Sequence, residues 1–593
     1  MRVPVLVRAP VPRLVPEHVH SGTLTLTRAL TLAPTRSPTR SLTLARTLTL
    51  ARALTLILTL PLALPPRPRM LPMVRVFLSG PMGAGKSTVA GALADRLGTT
   101  SIDLDERVEA LADKTIPQIF AEQGERGFRA LEKRALAELP ADIGVVALGG
   151  GTVVDDDTRQ SLLRTGILVT LTASPATLAT RVGAGTRRPL LGADPKTDLE
   201  QIIEARASAY AEAHAVIDTE AFDLDRIADE VVAVRDRAPI VVPLGLRTYR
   251  VEVGRGVRHR VGARAAEHAS GDAILVFDGD EDRPWPEEAI GDLTAAGKPP
   301  IEVCLPGDEA SKNIASIEKI WDTALDAEVD RRSIVIGVGG GVIGDLAAFA
   351  ASTLLRGVAL GQVPTTLLSM VDSSVGGKTG FNRPRGKNLV GTFYQPKFVL
   401  CDVETLSTLP TEERISGLAE VVKSAWLDSE ESVAMLERDA DALLEGDLDA
   451  TIRAVRMSVM LKSRIVHEDE LEAGRRMLLN LGHTVCHGLE AASDYQGLRH
   501  GEGVALGMIA AMRVAGKLRG GRPEETERLS ELLRRLGLPI DLDRRLDERA
   551  LGFIGSDKKR RGTQIYFVIP RLPGQTEIAL LGLEEVRHAL RQG

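Results

Sequence analysis

From Val74 onward the chain repeats one pattern: a short apolar run, a glycine turn, then an amphipathic stretch. The segment "VRVFLSGPMGAGKSTVAGALADRLG" (74–98) predicts a buried strand, a glycine-rich turn and a one-faced helix in succession. Next, "TTSIDLDERVE" adds a short strand ending near Asp103 and Asp105. Strand alternation would set both carboxylates on one side, facing the turn. "VVALGGGTVV" is a further apolar strand that closes on Gly149, Gly150 and Gly151. Later, "YRVEVGRGV" and "AILVFDGDED" read as strands, and "SIVIGVGGGVIGDLAAFAASTLLRG" as strand, glycine turn and long apolar helix. In "GLAEVVKSAWL" helical spacing puts Glu420 and Lys423 on one face. The pattern predicts an α/β architecture built twice, followed by a helical part.

Length changes this picture, since 593 residues exceed one ordinary core and suggest about three or four domains. The expected divisions are residues 1–72 of low complexity, a parallel-sheet unit at 73–236, a linker at 237–246 marked by "VRDRAPIVVPLGLR", an α/β unit at 247–404 and a helical unit at 405–593. The first segment runs through near-repeats of Thr, Leu, Arg and Pro, with Glu17 its one acidic residue. Its composition suits a transit peptide, and Ala53 to Leu64 resembles the apolar core of a signal, yet that stretch is too short and too late for a spanning helix or an ordinary secretory signal. The preferred reading is that translation starts near Met70 or Met73; peptides recovered from residues 1–69 of the native protein would sink it. A net charge of -6 and a pI of about 6.0 argue against a general nucleic-acid or anionic-membrane binder and leave small anionic substrates open. Cys304, Cys401 and Cys486 are too few for a disulfide framework, so a cytoplasmic location is expected.

Chemistry enters first at the glycine turn. Gly80, Gly85, Lys86 and Ser87 have the spacing of a phosphate-binding loop, so Gly83, Ala84, Gly85, Lys86, Ser87 and Thr88 are the candidate ATP contacts, with Ser87 as a ligand for Mg²⁺. "GERGFRALEKRAL" contributes Arg129, "GTRRPLL" Arg187 and Arg188, and "EARASAYAEAH" Arg206, each of which alone would ordinarily be a solvated surface charge. Together, over about Met73 to Arg235, these motifs resemble shikimate kinase. The resemblance implies that Asp105 holds the substrate hydroxyls and helps deprotonate one, and that Asp103 sits near Mg²⁺. It also implies that Arg129, Arg206 and Gly151 bind the shikimate carboxylate, and that Arg188 reaches the ATP phosphates as a lid residue. A gluconate or adenylate kinase is the alternative, although adenylate kinase lacks the pairing of "DLD" with "GFR" and "GGG".

In the second half the glycine turn after a buried strand fits dinucleotide phosphates, with Asp278 placed for a ribose; here the acid precedes the glycines, opposite to the usual order. "LNLGHTVCHGLE" holds His483 and His487 four apart, and "LRHGEGVALGM" holds His500. Glu420 with two histidines is a donor set used by catalytic Zn²⁺, and spacing alone leaves His487 open as the ligand in place of a neighbour. From about Ile240 onward the chain resembles 3-dehydroquinate synthase. That resemblance implies Glu420, His483 and His500 as ligands of Zn²⁺ or Co²⁺, and His487 as an acid/base group. It places NAD⁺ against Asp278, Glu309, Lys312, Gly339, Gly340, Gly341, Asp345, Thr365, Thr366, Lys378 and Lys387. The heptulosonate phosphate would meet Asp372, Lys378, Lys387, Asn388, Lys423, Lys462, Arg476, Asn480 and Lys558, with Lys559 as an alternative to the last. Arg356 is expected from a partner subunit in a homodimer, and Glu472 is implied in proton transfer. The motif is better known with Gly at the position of Cys486. A metal-dependent alcohol dehydrogenase, another sugar-phosphate cyclase or a noncatalytic binding module are the competing readings of this half.

Overall fold

The computed structural model describes residues 74–183, 194–279, 283–493, 497–554, 560–561 and 563–591. Arg187, Arg188, Lys558, Lys559 and the segment 1–72 therefore lie outside the described residues.

The first sheet has the order β2-β3-β1-β4-β5, formed by Arg75–Ser79 (β1), Thr100–Asp103 (β2), Ile143–Ala147 (β3), Gly166–Thr172 (β4) and Ala215–Asp218 (β5). All its pairings are parallel. Helices cover both faces, which is why Val76, Leu78, Val169 and Leu171 on one side and Phe77, Val146 and Leu168 on the other are all buried. The order reverses at β1, and a crevice at such a switch point receives ligands at the carboxyl ends of the strands. Gly80 follows β1 there at φ 132°, where a Cβ would meet the carbonyl oxygen of Leu171 at 2.0 Å.

The second sheet runs β6-β7-β14-β11-β10-β8-β9, from Ile240–Val242 (β6), Tyr249–Gly254 (β7), Ala273–Asp278 (β8), Ile301–Leu305 (β9), Ile334–Gly339 (β10), Ala359–Pro364 (β11) and Phe398–Asp402 (β14). Phe381–Arg383 (β12) and Gly386–Val390 (β13) form a separate hairpin. Strand β6 lies inside the segment expected as a linker: "IVV" is wholly buried and pairs antiparallel with β7. Proline content suggested a tether, but three consecutive apolar residues found a sheet edge to cover.

The remainder is mostly helical, and its core includes the fully buried Trp426. One element was not expected there: Arg560–Arg561 (β15), Gln564–Leu572 (β16) and Gln575–Gly582 (β17) form an antiparallel sheet. Its hairpin turns at Gly574, φ 76°, whose N–H donates to the carbonyl of Trp426 at 2.9 Å.

The two α/β parts meet through buried polar contacts. Arg250 of β7 donates Nε to the carbonyl of Ala213 (3.0 Å) and Nη2 to those of Ala213 (2.8 Å) and Ala211 (3.0 Å). Glu212 accepts from the Gly245 N–H at 2.7 Å and from Nε of Arg159 at 2.6 Å. Burial pushes Arg250 down to about 10, so removing its charge would relieve some strain. Against that, the Ala213 carbonyl would lose both of its guanidinium donors, at a cost of roughly 1–3 kcal/mol, and the Ala211 carbonyl would keep only the Ala213 N–H at 2.9 Å. Arg250→Met is therefore expected to lower stability and to split calorimetric unfolding into two transitions. One unchanged transition would refute this.

Candidate active sites

Helix Lys86–Leu97 starts directly after Gly85, which takes a left-handed conformation. Nζ of Lys86 donates to the carbonyls of Gly80 and Pro81, both at 3.0 Å, so the ammonium lies over the loop. Oγ of Ser87 donates to Oδ2 of Asp103 at 2.6 Å, bringing together two oxygens suited to a hard divalent ion. Asp105 departs from the expected alternation, because β2 stops at Asp103 and Asp105 is already in helix Leu104–Ala112. The reason is local: the Asp103 side chain caps that helix by accepting from the Asp105 N–H at 3.0 Å. Asp105 still faces the second glycine turn, since a Cβ on Gly149 would lie 2.8 Å from its Oδ1. Burial first, then the charges of Asp103 and Glu132, push its carboxyl up to about 6.

Around the same turn stand both expected arginines. Arg129 pairs with Glu132 and, at 3.2 Å, with Glu125, and its guanidinium packs so closely on Gly151 that a Cβ there would sit 2.2 Å from Nη2. Arg206 donates to the Gly150 carbonyl at 2.8 Å, as does the Tyr210 hydroxyl at 2.5 Å. Glu132, buried and accepting from Oγ1 of Thr152 at 2.6 Å, and Tyr210 were not foreseen. "FRALEK" offered Glu132 at helical spacing from Arg129, which was the available signal.

In the second unit Gly339 ends β10 and Gly341 begins helix Gly341–Thr353, so the glycine turn sits at a carboxyl strand end as predicted. Thr365 follows β11 and donates its N–H to the Gly339 carbonyl at 3.0 Å, while its buried Oγ1 has no hydrogen-bond partner among the described residues. Thr366 Oγ1 bonds Ser369 Oγ at 2.8 Å. Lys312 and Asp345 form a buried pair at 2.5 Å, Glu309 accepts from Asn382 at 2.7 Å, and Asp278 pairs with Arg283 at 2.9 Å.

The histidine question has a geometric answer. Single donor atoms of Glu420, His483 and His500 lie within 4.8 Å of one another, and His487 is not in that group. Oε1 of Glu420 is 3.5 Å from Nε2 of His483 and 3.6 Å from Nε2 of His500, too long for hydrogen bonds and suited to three donors converging on one ion. Among the described residues neither carboxylate oxygen of Glu420 finds a hydrogen bond of sound geometry, although Lys423 forms an ion pair with Oε2. The His487 ring stands edge-on to that of His483, centroids 5.7 Å apart.

Cations and acids surround this group in pairs: Lys462 with Asp372 at 2.6 Å, Lys378 with Glu472 at 2.5 Å, and Asn480 donating to Glu472 at 3.2 Å. Arg476, fully buried, donates to the Gly376 carbonyl at 2.9 Å. Burial opposes charge on Asp372, but Lys462 and Lys423 hold it well below the carboxylate range. Burial likewise opposes charge on Lys423, where Glu420 and Asp372 prevail and raise it. For Lys462 burial prevails, and the ammonium falls to about 8. Lys387 and Asn388 lie on the β12–β13 hairpin, exposed. Arg356 follows the far end of helix Gly341–Thr353, about 20 Å from the glycine turn at 1.5 Å per residue.

Comparison with known proteins finds relatives of both halves of the chain. The family described as "Shikimate kinase" matches residues 82–235, "3-dehydroquinate synthase N-terminal" residues 302–416 and "3-dehydroquinate synthase C-terminal" residues 417–560. A 3-dehydroquinate synthase of Geobacter metallireducens is 41% identical over 349 residues, spanning 58% of this chain and 97% of the relative. Among solved structures, a 2-deoxy-scyllo-inosose synthase complexed with carbaglucose-6-phosphate, NAD⁺ and Co²⁺ covers 58% of this chain and 97% of its own, with a TM-score of 0.54 at 24% identity. ValA, a 2-epi-5-epi-valiolone synthase from Streptomyces hygroscopicus with NAD⁺ and Zn²⁺ bound, covers 58% and 96%, with a TM-score of 0.53 at 25% identity.

Proposed function

We propose a division of labour for a chain that belongs to the 3-dehydroquinate synthase family and carries a shikimate kinase unit ahead of that family's domains. It is a bifunctional enzyme that phosphorylates shikimate with ATP and converts 3-deoxy-arabino-heptulosonate 7-phosphate to 3-dehydroquinate and phosphate. The observation that carries the residue roles is the convergence of Glu420, His483 and His500 beside buried lysines paired to Asp372 and Glu420.

In the kinase site the Lys86 ammonium and the loop N–H groups would hold the ATP phosphates, and Ser87 and Asp103 would hold Mg²⁺. Arg129 and Arg206 bind the acceptor's carboxylate, and Asp105 orients its hydroxyl and takes the proton. In the synthase site Glu420, His483 and His500 would hold a Zn²⁺ or Co²⁺ ion, and the glycine turn with Thr365 would hold NAD⁺. When bound, the metal polarises the reacting hydroxyl and the cofactor accepts and returns a hydride. Lys423, Lys462, Arg476 and Asn480 fix the anionic substrate, while His487 and Glu472 move protons near it.

Trace NAD⁺ tests the synthase assignment. Phosphate released far beyond the NAD⁺ present, without NADH accumulating, is expected. Lasting NADH without phosphate would indicate a dehydrogenase, and silence on both channels a binding module. Shikimate-dependent ADP formation tests the kinase half. A further expectation comes from Lys462, whose charge fades above about pH 8. KM for the heptulosonate phosphate should rise through that pH and stay flat in Lys462→Arg; an identical profile in both proteins would remove Lys462 from the substrate site.

The placement of Arg356 a helix length away from the glycine turn and the exposed apolar side chains Leu389, Val390 and Phe393 support a homodimer. Full turnover by a monomer in sedimentation would rule this out. The free thiols of all three cysteines support a cytoplasmic location, which cell fractionation checks. Among the described residues no helix is long and apolar enough to cross a membrane.

A further inference from the structure

His500 has two ring nitrogens facing two different sets of groups. Nε2 faces Glu420, whereas Nδ1 lies 3.2 Å from Oε1 of Glu490. On that second side Cys486 and Glu490 stand four residues apart on helix His483–Ala492, so both side chains reach one face. Single donor atoms of Cys486, Glu490 and His500 lie within 4.8 Å of one another. Both Cys486 and Glu490 are buried. Space for the sulfur comes from Gly503 of the neighbouring helix His500–Arg519, where a Cβ would lie 2.7 Å from Sγ.

We propose that Cys486, Glu490 and Nδ1 of His500 form a second metal site, back to back with the first and sharing the His500 imidazole, that takes a thiophilic divalent ion such as Zn²⁺ or Cd²⁺. Thiolate, carboxylate and imidazole are the three donor types that suit zinc. The thiolate and carboxylate together balance the second ion's charge, and the negative charge of the bridging imidazolate offsets the excess that a divalent ion would keep beside Glu420 in the first site, so the buried pair of sites carries no net charge. Binding replaces the Cys486 thiol proton and the Nδ1 proton of His500, both released to solvent, and no electron moves. Half-exposed His500, on the active-site side, is the route of entry, since Cys486 itself is shut off from water. The bland alternative is that Glu490 only orients His500 and that the Cys486 thiol only donates to the His500 carbonyl, 3.7 Å away.

Because His500 is shared with the first site, the test must separate the two. The full chain would be titrated with Cd²⁺, following ultraviolet thiolate-to-cadmium charge transfer and counting ions bound after gel filtration. The wild type is expected to bind one more ion than Cys486→Ala and to show a band that this variant lacks. His483→Ala should lose the first-site ion and keep the band. Equal ion counts in wild type and Cys486→Ala, a band that survives Cys486→Ala, or a band that vanishes in His483→Ala would each overturn the proposal. A failed first-site assignment would show separately, as His483→Ala binding as many ions as wild type. Should Cys486→Ala misfold, Glu490→Gln keeps the thiol and should raise the Cd²⁺ midpoint of the band about tenfold or more; an unchanged midpoint would overturn the site.

Discussion

Replacing Asp105 with asparagine is expected to slow shikimate phosphorylation severely and, at the same time, to stabilise the kinase unit. The carboxyl sits among Asp103 and Glu132 in a largely buried position and is raised to about 6. Between its ordinary value and that one, the folded state holds a proton that the unfolded chain has already lost. Stability contributed by this group therefore falls as pH rises through that window, and above it the folded protein carries a penalty of roughly 1–3 kcal/mol. Asparagine is neutral and nearly isosteric, so the penalty goes. What goes with it is the acceptor for the substrate's hydroxyl proton, a loss on the order of 10²–10⁴ in rate. Wild-type kinase activity should accordingly decline as pH drops through about 6. A coupled ADP assay and calorimetry of the same sample check both halves: near-normal turnover, or a lower melting point in Asp105→Asn, would contradict the role given to this carboxylate.

A second large effect separates two histidines one helical turn apart. His483→Ala removes one of three converging donors. It should cost the synthase its bound metal and at least about 10³ in phosphate release, against a 10²–10⁴ range for loss of an acid/base group alone. His487→Ala should keep the metal and still lose turnover, because its ring stands beside the donor group and outside it. Kinase activity, measured in the same preparations, should not change in either. Metal retained in His483→Ala and lost in His487→Ala would exchange the two roles.

Much of this architecture was legible because local spacing and tertiary position agree. The phosphate loop needs a strand before and a helix after, and the eight residues from Gly80 to Ser87 already encode that turn. The metal donors needed more, since Glu420, His483 and His500 come from three helices. Spacing on one helix could not choose between His483 and His487; the crossing of Glu420 and His500 beneath the first of them does. Asp105 was placed on the wrong element because alternation assumes the strand continues, whereas the Asp103 side chain ends it by capping a helix. The little sheet β15–β17 was missed for a different reason: its apolar residues pack on Trp426 and neighbouring helices, a tertiary rather than periodic cause. Glu490 escaped notice because its partner, Nδ1 of His500, lies on another helix.

Strand β6 also decides where the gene could be cut. An open reading frame beginning at residue 247 would synthesise the synthase without Ile240–Val242, exposing the long edge of β7 as a template for another chain. One beginning near Ala238 would keep the sheet whole yet leave the Arg250 guanidinium facing water where the Ala211 and Ala213 carbonyls had been. During translation the kinase unit emerges first, so those carbonyls wait for β7 to leave the ribosome. The fusion thus reads as an order of assembly as well as a pairing of activities.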